Sequence, residues 1–131
     1  MPTLTEPPTV AHVRAIWAAY ARGGVDAMRR VAGDDVEWIP LSETAPLPAE
    51  EFWGGWARRR TEQVSVSVHG YEAHGSCVLA HGSMRTFREG GFIDEQPSWV
   101  YFFTEGRLIR SAGYRTRDDA LAAISRFDPV A

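Results

Sequence analysis

The sequence predicts a single α+β domain with its helices packed on one side of a curved antiparallel sheet. Three observations carry this. Apolar residues recur at spacings of three and four up to about Arg60, the period changes to two after Glu62, and turn dipeptides cut the remainder into consecutive strands. Helices first and strands second is the α+β order. The chain has 131 residues, 44% of them apolar, which suits one domain able to bury roughly two-thirds of its unfolded surface. One domain over residues 1–131 is expected, with its core at about 9–126.

The elements follow in order. Val10, Val13, Ile16, Trp17 and Tyr20 mark one face of a helix, with Thr9 as a candidate N-cap and Gly23-Gly24 as the stop. Val25, Met28 and Val31 line a second helix that Gly33 ends. Val36, Trp38 and Ile39 form a short strand before Pro40, and residues 40–49, with three prolines, form a loop. From Ala49 to Arg60 the pattern is helical again, with Phe52, Trp53 and Trp56 apolar and Arg58-Arg59-Arg60 at the end that suits the dipole.

Val64, Val66 and Val68 then alternate with Ser65, Ser67 and His69, as in a half-buried strand. His74-Gly75 is a turn, residues 76–88 the next strand, and Glu89-Gly90-Gly91 a loosened stretch. The β-branched and aromatic run 97–104 is a strand, Glu105-Gly106 a tight hairpin, and Arg107–Thr116 its return. Asp118 to Ile124 closes the chain as a short helix.

Composition excludes several classes. No apolar run reaches the ~20 residues that span a bilayer. The N-terminus has no basic start and no apolar stretch, so a cytoplasmic location is expected, with no membrane partner. Lys and Arg together number 14 against 17 acidic residues, so nothing forces the basic face of a nucleic-acid binder. All the basic residues are Arg, and Lys and Asn are absent, which fits a GC-rich coding sequence. The lone Cys77 excludes an internal disulfide and a cysteine metal cluster. His69, His74 and His81 lack a metal-ligand spacing, and neither a phosphate loop nor a nucleophile signature is present. No metal and no cofactor are expected.

Three stretches resemble the nuclear transport factor 2-like superfamily, most closely its SnoaL-like branch. They are Arg22-Gly23-Gly24-Val25-Asp26-Ala27-Met28 through Gly33-Asp34-Asp35-Val36-Glu37-Trp38, the hairpin Phe102-Phe103-Thr104-Glu105-Gly106-Arg107-Leu108-Ile109, and Tyr114 followed by Arg117-Asp118-Asp119-Ala120-Leu121. The resemblance implies a cystatin-like cone: a curved antiparallel sheet around helices, with a pocket between them and a homodimer through the outer sheet face. Val78, Met84, Val100 and Phe102 are the residues expected to make that outer patch. Fold alone does not set function. The ketosteroid isomerases of the superfamily carry three catalytic groups where this chain has Ile16, Trp38 and Trp99. The SnoaL-like cyclases place an acid where Gly113 stands.

Strand parity, matched to the family, puts Trp99, Tyr101 and Phe103 on the concave face with His81 and Ser111. The expected pocket is lined by Tyr20, Trp38, Trp53, Trp56, Arg85, Trp99 and Phe103, with His81, Tyr101 and Arg115 as catalytic candidates. Any one of these aromatics also reads as plain core, and His81 as a structural histidine. Arg85 and Arg115 either face the pocket, where Glu37 is the nearest acid by strand order, or lie on the surface. Two functions follow. One is a cofactor-free isomerase, cyclase or dehydratase acting on a small, largely apolar molecule, with His81 as acid or base. The other is a non-catalytic module for binding such a molecule or for dimerisation.

Overall fold

In a computed structural model, which describes residues 6–41, 43–57 and 63–127, the first element is helix α1 (Pro8–Ala32), broken at Gly24. There φ is 71° and ψ is −156°, a conformation open to glycine at little cost. The two expected helices are therefore the two arms of α1. The first buries Val10, Val13, Ile16 and Ala19, and the second Val25, Met28 and Ala32. Thr9 is not the cap. The helix starts at Pro8, whose missing N–H costs nothing in the first turn.

Strand β1 (Glu37–Ile39) follows, then one helical turn α2 (Ala49–Glu51) that runs into a π-helical turn, Phe52–Trp56. The Ala57 N–H bonds back to the Phe52 carbonyl, five residues away. The Arg58-Arg59-Arg60 triplet lies outside the described residues, as does the Trp56 side chain.

The sheet comprises β2 (Val64–His74), β3 (Cys77–Arg88), β4 (Gly91–Glu95), β5 (Ser98–Thr104) and β6 (Arg107–Tyr114) with β1, in the order β1-β6-β5-β3-β2. Strand β4 pairs with the second half of β3, beyond the part that pairs with β5. It was not expected: Gly90-Gly91, read as a loosened stretch, lies at the turn of a β3–β4 hairpin in which Arg88 faces Gly91. The sheet is mixed rather than wholly antiparallel, because β1 runs parallel to β6. Hairpins make consecutive strands antiparallel, but β1 reaches β6 through the whole intervening chain and is free of that constraint.

Two bulges interrupt the alternation. His69 is an extra residue in β2, between Val68 opposite Gly82 and Gly70 opposite His81. Ile109 is extra in β6, between Leu108 opposite Phe103 and Arg110 opposite Phe102. A bulge shifts the face of every residue beyond it. Ile109 consequently packs on the outer side, not with Ser111 as simple alternation implies.

The closing helix α3 (Arg117–Arg126) is capped by Thr116, whose hydroxyl accepts from the Asp119 N–H at 3.1 Å. It packs on the sheet face opposite α1, so helices cover both faces. Ala120 and Ala123 meet Cys77, Leu79, Val100, Phe102 and Ala112 in a second core. This overturns the expected outer patch. Val100 and Phe102 lie beneath α3, and Val78 belongs to the core facing α1. Met84 is buried as well. Among the described residues, the large apolar side chains that remain exposed are Phe87, Phe92 and Ile93 on the β3–β4 hairpin. No helix among the described residues is long and apolar enough to cross a membrane.

The β5–β6 turn places both Glu105 (φ 51°) and Gly106 (φ 76°) in the left-handed region, the signature of a type I′ hairpin. Glycine tolerates this, whereas a glutamate pays roughly 1–2 kcal/mol. Glu105→Asn should raise the free energy of unfolding by about 0.5–1 kcal/mol, read from the midpoint of a urea titration with unchanged slope.

Candidate functional site: an uncharged aromatic cavity

Between α1, residues 39–41 and the inner face of the sheet lies a cavity of about 110 Å3. Helix α1 supplies Trp17, Tyr20, Val25 and Met28. Trp38, Ile39, Pro40 and Leu41 form one side, with Phe52 and Ala57 from the segment around the π-helical turn. The sheet contributes Val64 and Val66, Met84, Trp99 and Tyr101, and Ser111 and Gly113. No lining residue described is charged.

Ring contacts hold the wall. Trp38 stacks on Phe52 with centroids 4.9 Å apart and planes 12° apart, and Trp53 meets both edge-on. Trp17 lies 4.9 Å from Trp99. Each such pair adds roughly 0.5–1.5 kcal/mol beyond its burial. Gly113 does not simply leave room for a ligand. A Cβ there would sit 3.0 Å from the Leu41 Cα, so its small size lets residues 40–41 close over β6.

The polar content is concentrated at one cross-strand pair, Tyr101 opposite Ser111. Burial pushes the Tyr101 hydroxyl well above its ordinary range, and the neighbouring Ser111 and Trp17 offset only part of that. Tyr101 therefore stays protonated at neutral pH and can donate a hydrogen bond. Two more donors on the wall, Trp17 Nε1 and Trp38 Nε1, are buried; Trp17 stands beside the Tyr101 hydroxyl, and Trp38 Nε1 has no hydrogen-bond partner. Orphaned buried donors are rare in folded proteins.

Of the residues expected here, Tyr20, Trp38, Trp99 and Tyr101 line the cavity. Trp53 is buried behind Trp38, and Phe103 lies deeper in the core, edge-on to His12. The three expected cationic or titratable groups are elsewhere. Ala80 is opposite Trp99, which gives the even-numbered residues of β3 to the concave face and His81 to the other. Leu79, the apolar residue that shares the face of His81, is buried under α3 on the outer side. Arg85 pairs with Asp94 at 2.8 Å and lies over the Phe92 ring. Arg115 donates to Glu95 at 2.6 Å and is 60% exposed. Glu37 is taken by Arg110, not by either of them. Met28, Met84, Leu41 and Phe52 were not anticipated. Only Met84 had a usable signal, its even parity on β3.

His81 sits instead in a separate polar depression of about 260 Å3 on the convex face, with His69, Glu72, Gln96, Ser98 and Arg117. Its ring lies over Gly70, where a Cβ would come within 2.6 Å of Nε2. Glu72 accepts from Arg117 at 2.6 and 3.2 Å and from His74 at 3.1 Å, while His81 Nε2 is 4.0 Å away. His69 bonds the Ser83 hydroxyl at 2.6 Å. Among the described residues no three His, Cys, Asp or Glu side chains are placed to hold a metal ion.

No protein-family model matches the sequence, and no curated protein matches it. Solved structures do match the fold. An NTF2-like protein of unknown function from Burkholderia pseudomallei superposes with a TM-score of 0.68 at 14% identity, over 92% of this chain and 99% of that one. A candidate SnoaL-like polyketide cyclase from Jannaschia gives 0.65 at 17%, over 98% and 99%. TerC, co-crystallised with polyporic acid, gives 0.66 at 14%, over 91% and 99%. The architecture is thus the nuclear transport factor 2-like one. Here it carries a mixed, unclosed six-stranded sheet.

The Glu72 cluster makes a pH-dependent contribution. Arg117, and to a lesser degree His74, hold the Glu72 carboxyl below its usual range. A group depressed in the fold stabilises above its unfolded value and loses that stabilisation as pH falls through its folded value. Glu72→Gln should therefore lower the melting temperature at pH 7, and the difference should shrink progressively below about pH 4.5. Calorimetry of both proteins across that range checks it.

Proposed function

We propose that the protein binds a small, largely apolar molecule in the concave cavity and that binding, rather than acid–base chemistry, is its activity. The observation that carries this reading is the wall itself: aromatic and aliphatic, uncharged in every described residue, with a few hydroxyl and indole N–H groups as polar contacts. Apolar pockets with few convergent polar groups are typical small-molecule sites. The size is also suitable, since an engineered apolar cavity of roughly 150 Å3 in another protein binds benzene. A protein of the same fold co-crystallised with a small molecule is in keeping with it. Cytoplasmic placement and pairing of two copies stay part of the proposal.

The enzymatic reading keeps one element. Tyr101 can polarise a ligand oxygen, as an isomerase, cyclase or dehydratase would need. Such a reaction also needs a base, and the described lining offers none, with His81 across the sheet.

Filling the cavity tests the proposal. Titration of tryptophan fluorescence with toluene should give saturable binding to the native protein. Val66→Phe should weaken it at least tenfold while the chain stays folded, at a cost of about 1–3 kcal/mol in stability from overpacking. Equal toluene binding by both proteins would remove this cavity as the site.

A further inference from the structure

The hydroxyl pair at one end of the cavity specifies more than size. Tyr101 and Ser111 face each other across β5 and β6, and both belong to the cavity wall. They are 1% and 4% exposed, in walls that are otherwise carbon apart from a few indole and phenol groups. Beside Tyr101 stands Trp17, whose indole N–H is a further donor at this corner. This corner is rich in donors, and the described side chains around it supply no carboxylate and no amide oxygen to accept from them. A buried polar group is costly unless it is paired, and a site holding one selects ligands that pair it.

The volume sets the second condition. A space of about 110 Å3 holds a single six-membered ring with a small substituent. We infer that the ligand is a monocyclic molecule bearing one hydroxyl or carbonyl oxygen, seated with that oxygen at the Tyr101–Ser111 corner and its ring between Trp38 and Trp99. This rests on the proposed binding function and deepens it. Tyr101 and Ser111 become the residues that determine specificity, and the aromatic wall supplies area.

Three probes of seven non-hydrogen atoms separate the effects: toluene, phenol and cyclohexanone. A purely apolar cavity of this size favours toluene, because an unpaired hydroxyl is penalised on entry. An anchoring corner reverses that order. One net hydrogen bond corresponds to about tenfold in affinity, so calorimetric titration should show phenol and cyclohexanone binding about tenfold more tightly than toluene. Ser111→Ala should reduce that preference several-fold, with toluene bound no more weakly than by the native protein, and Tyr101→Phe should abolish it. Should Tyr101→Phe fail to fold, Ser111→Ala decides alone.

Toluene binding as tightly as phenol and cyclohexanone, with Ser111→Ala changing nothing, would overturn the inference and leave the binding function standing. Failure of all three probes to bind at millimolar concentration would overturn both.

Discussion

Helix α3 decides which side chains the cavity can use. By packing on the outer face of β3, β5 and β6, it buries Leu79, Val100, Phe102 and Ala112, and with α1 on the other side the centre of the sheet is buried on both faces. Burial at that centre then says nothing about direction. Cys77, Val78, Leu79 and Ala80 are four consecutive buried residues, and only from His81 onward does β3 alternate between buried and exposed. The same packing hides the apolar surface that would otherwise call for a partner. Among the described residues it leaves the β3–β4 hairpin as the place where large apolar side chains are exposed.

Much of the fold was legible because its signals are local. The break at Gly24, the Glu105-Gly106 turn and the alternation of Val64, Val66 and Val68 each depend on a few adjacent residues. What escaped depends on distant ones. The parallel pairing of β1 with β6 joins residues more than seventy positions apart. The bulge at His69 is visible only once β3 lies alongside. Gly90-Gly91 has the composition of a loop, and only pairing with β3 makes its neighbours a strand.

The cavity was legible as aromatic and illegible as neutral. Trp38, Trp99, Tyr20 and Tyr101 followed from helix and strand periodicity matched to the family resemblance. His81 was misplaced by a single parity choice. That error moves a side chain through the whole thickness of the sheet, because successive residues in a strand point to opposite faces. The two faces consequently carry different chemistries. Uncharged rings gather on the inner one, while Glu72, its ion-pair partners and the histidines of β2 and β3 gather on the outer one. Arg85 and Arg115 are satisfied by Asp94 and Glu95 of β4, a strand whose existence the sequence did not reveal.

The π-helical turn at Phe52–Trp56 gives the cavity wall an adjustable register. Its hydrogen bond closes over five residues where an α-helix closes over four. The turn thus holds one residue more than the α-helix that would otherwise continue from α2. Two of its five residues are the glycines Gly54 and Gly55, which carry no side chain into the wall. Removing one would return the segment to α-helical spacing, and because five π-helical residues turn through nearly the same angle as four α-helical ones, Phe52 and Ala57 would keep the faces they present. The wall can therefore gain or lose one residue here while the residues on either side of the turn hold their contacts.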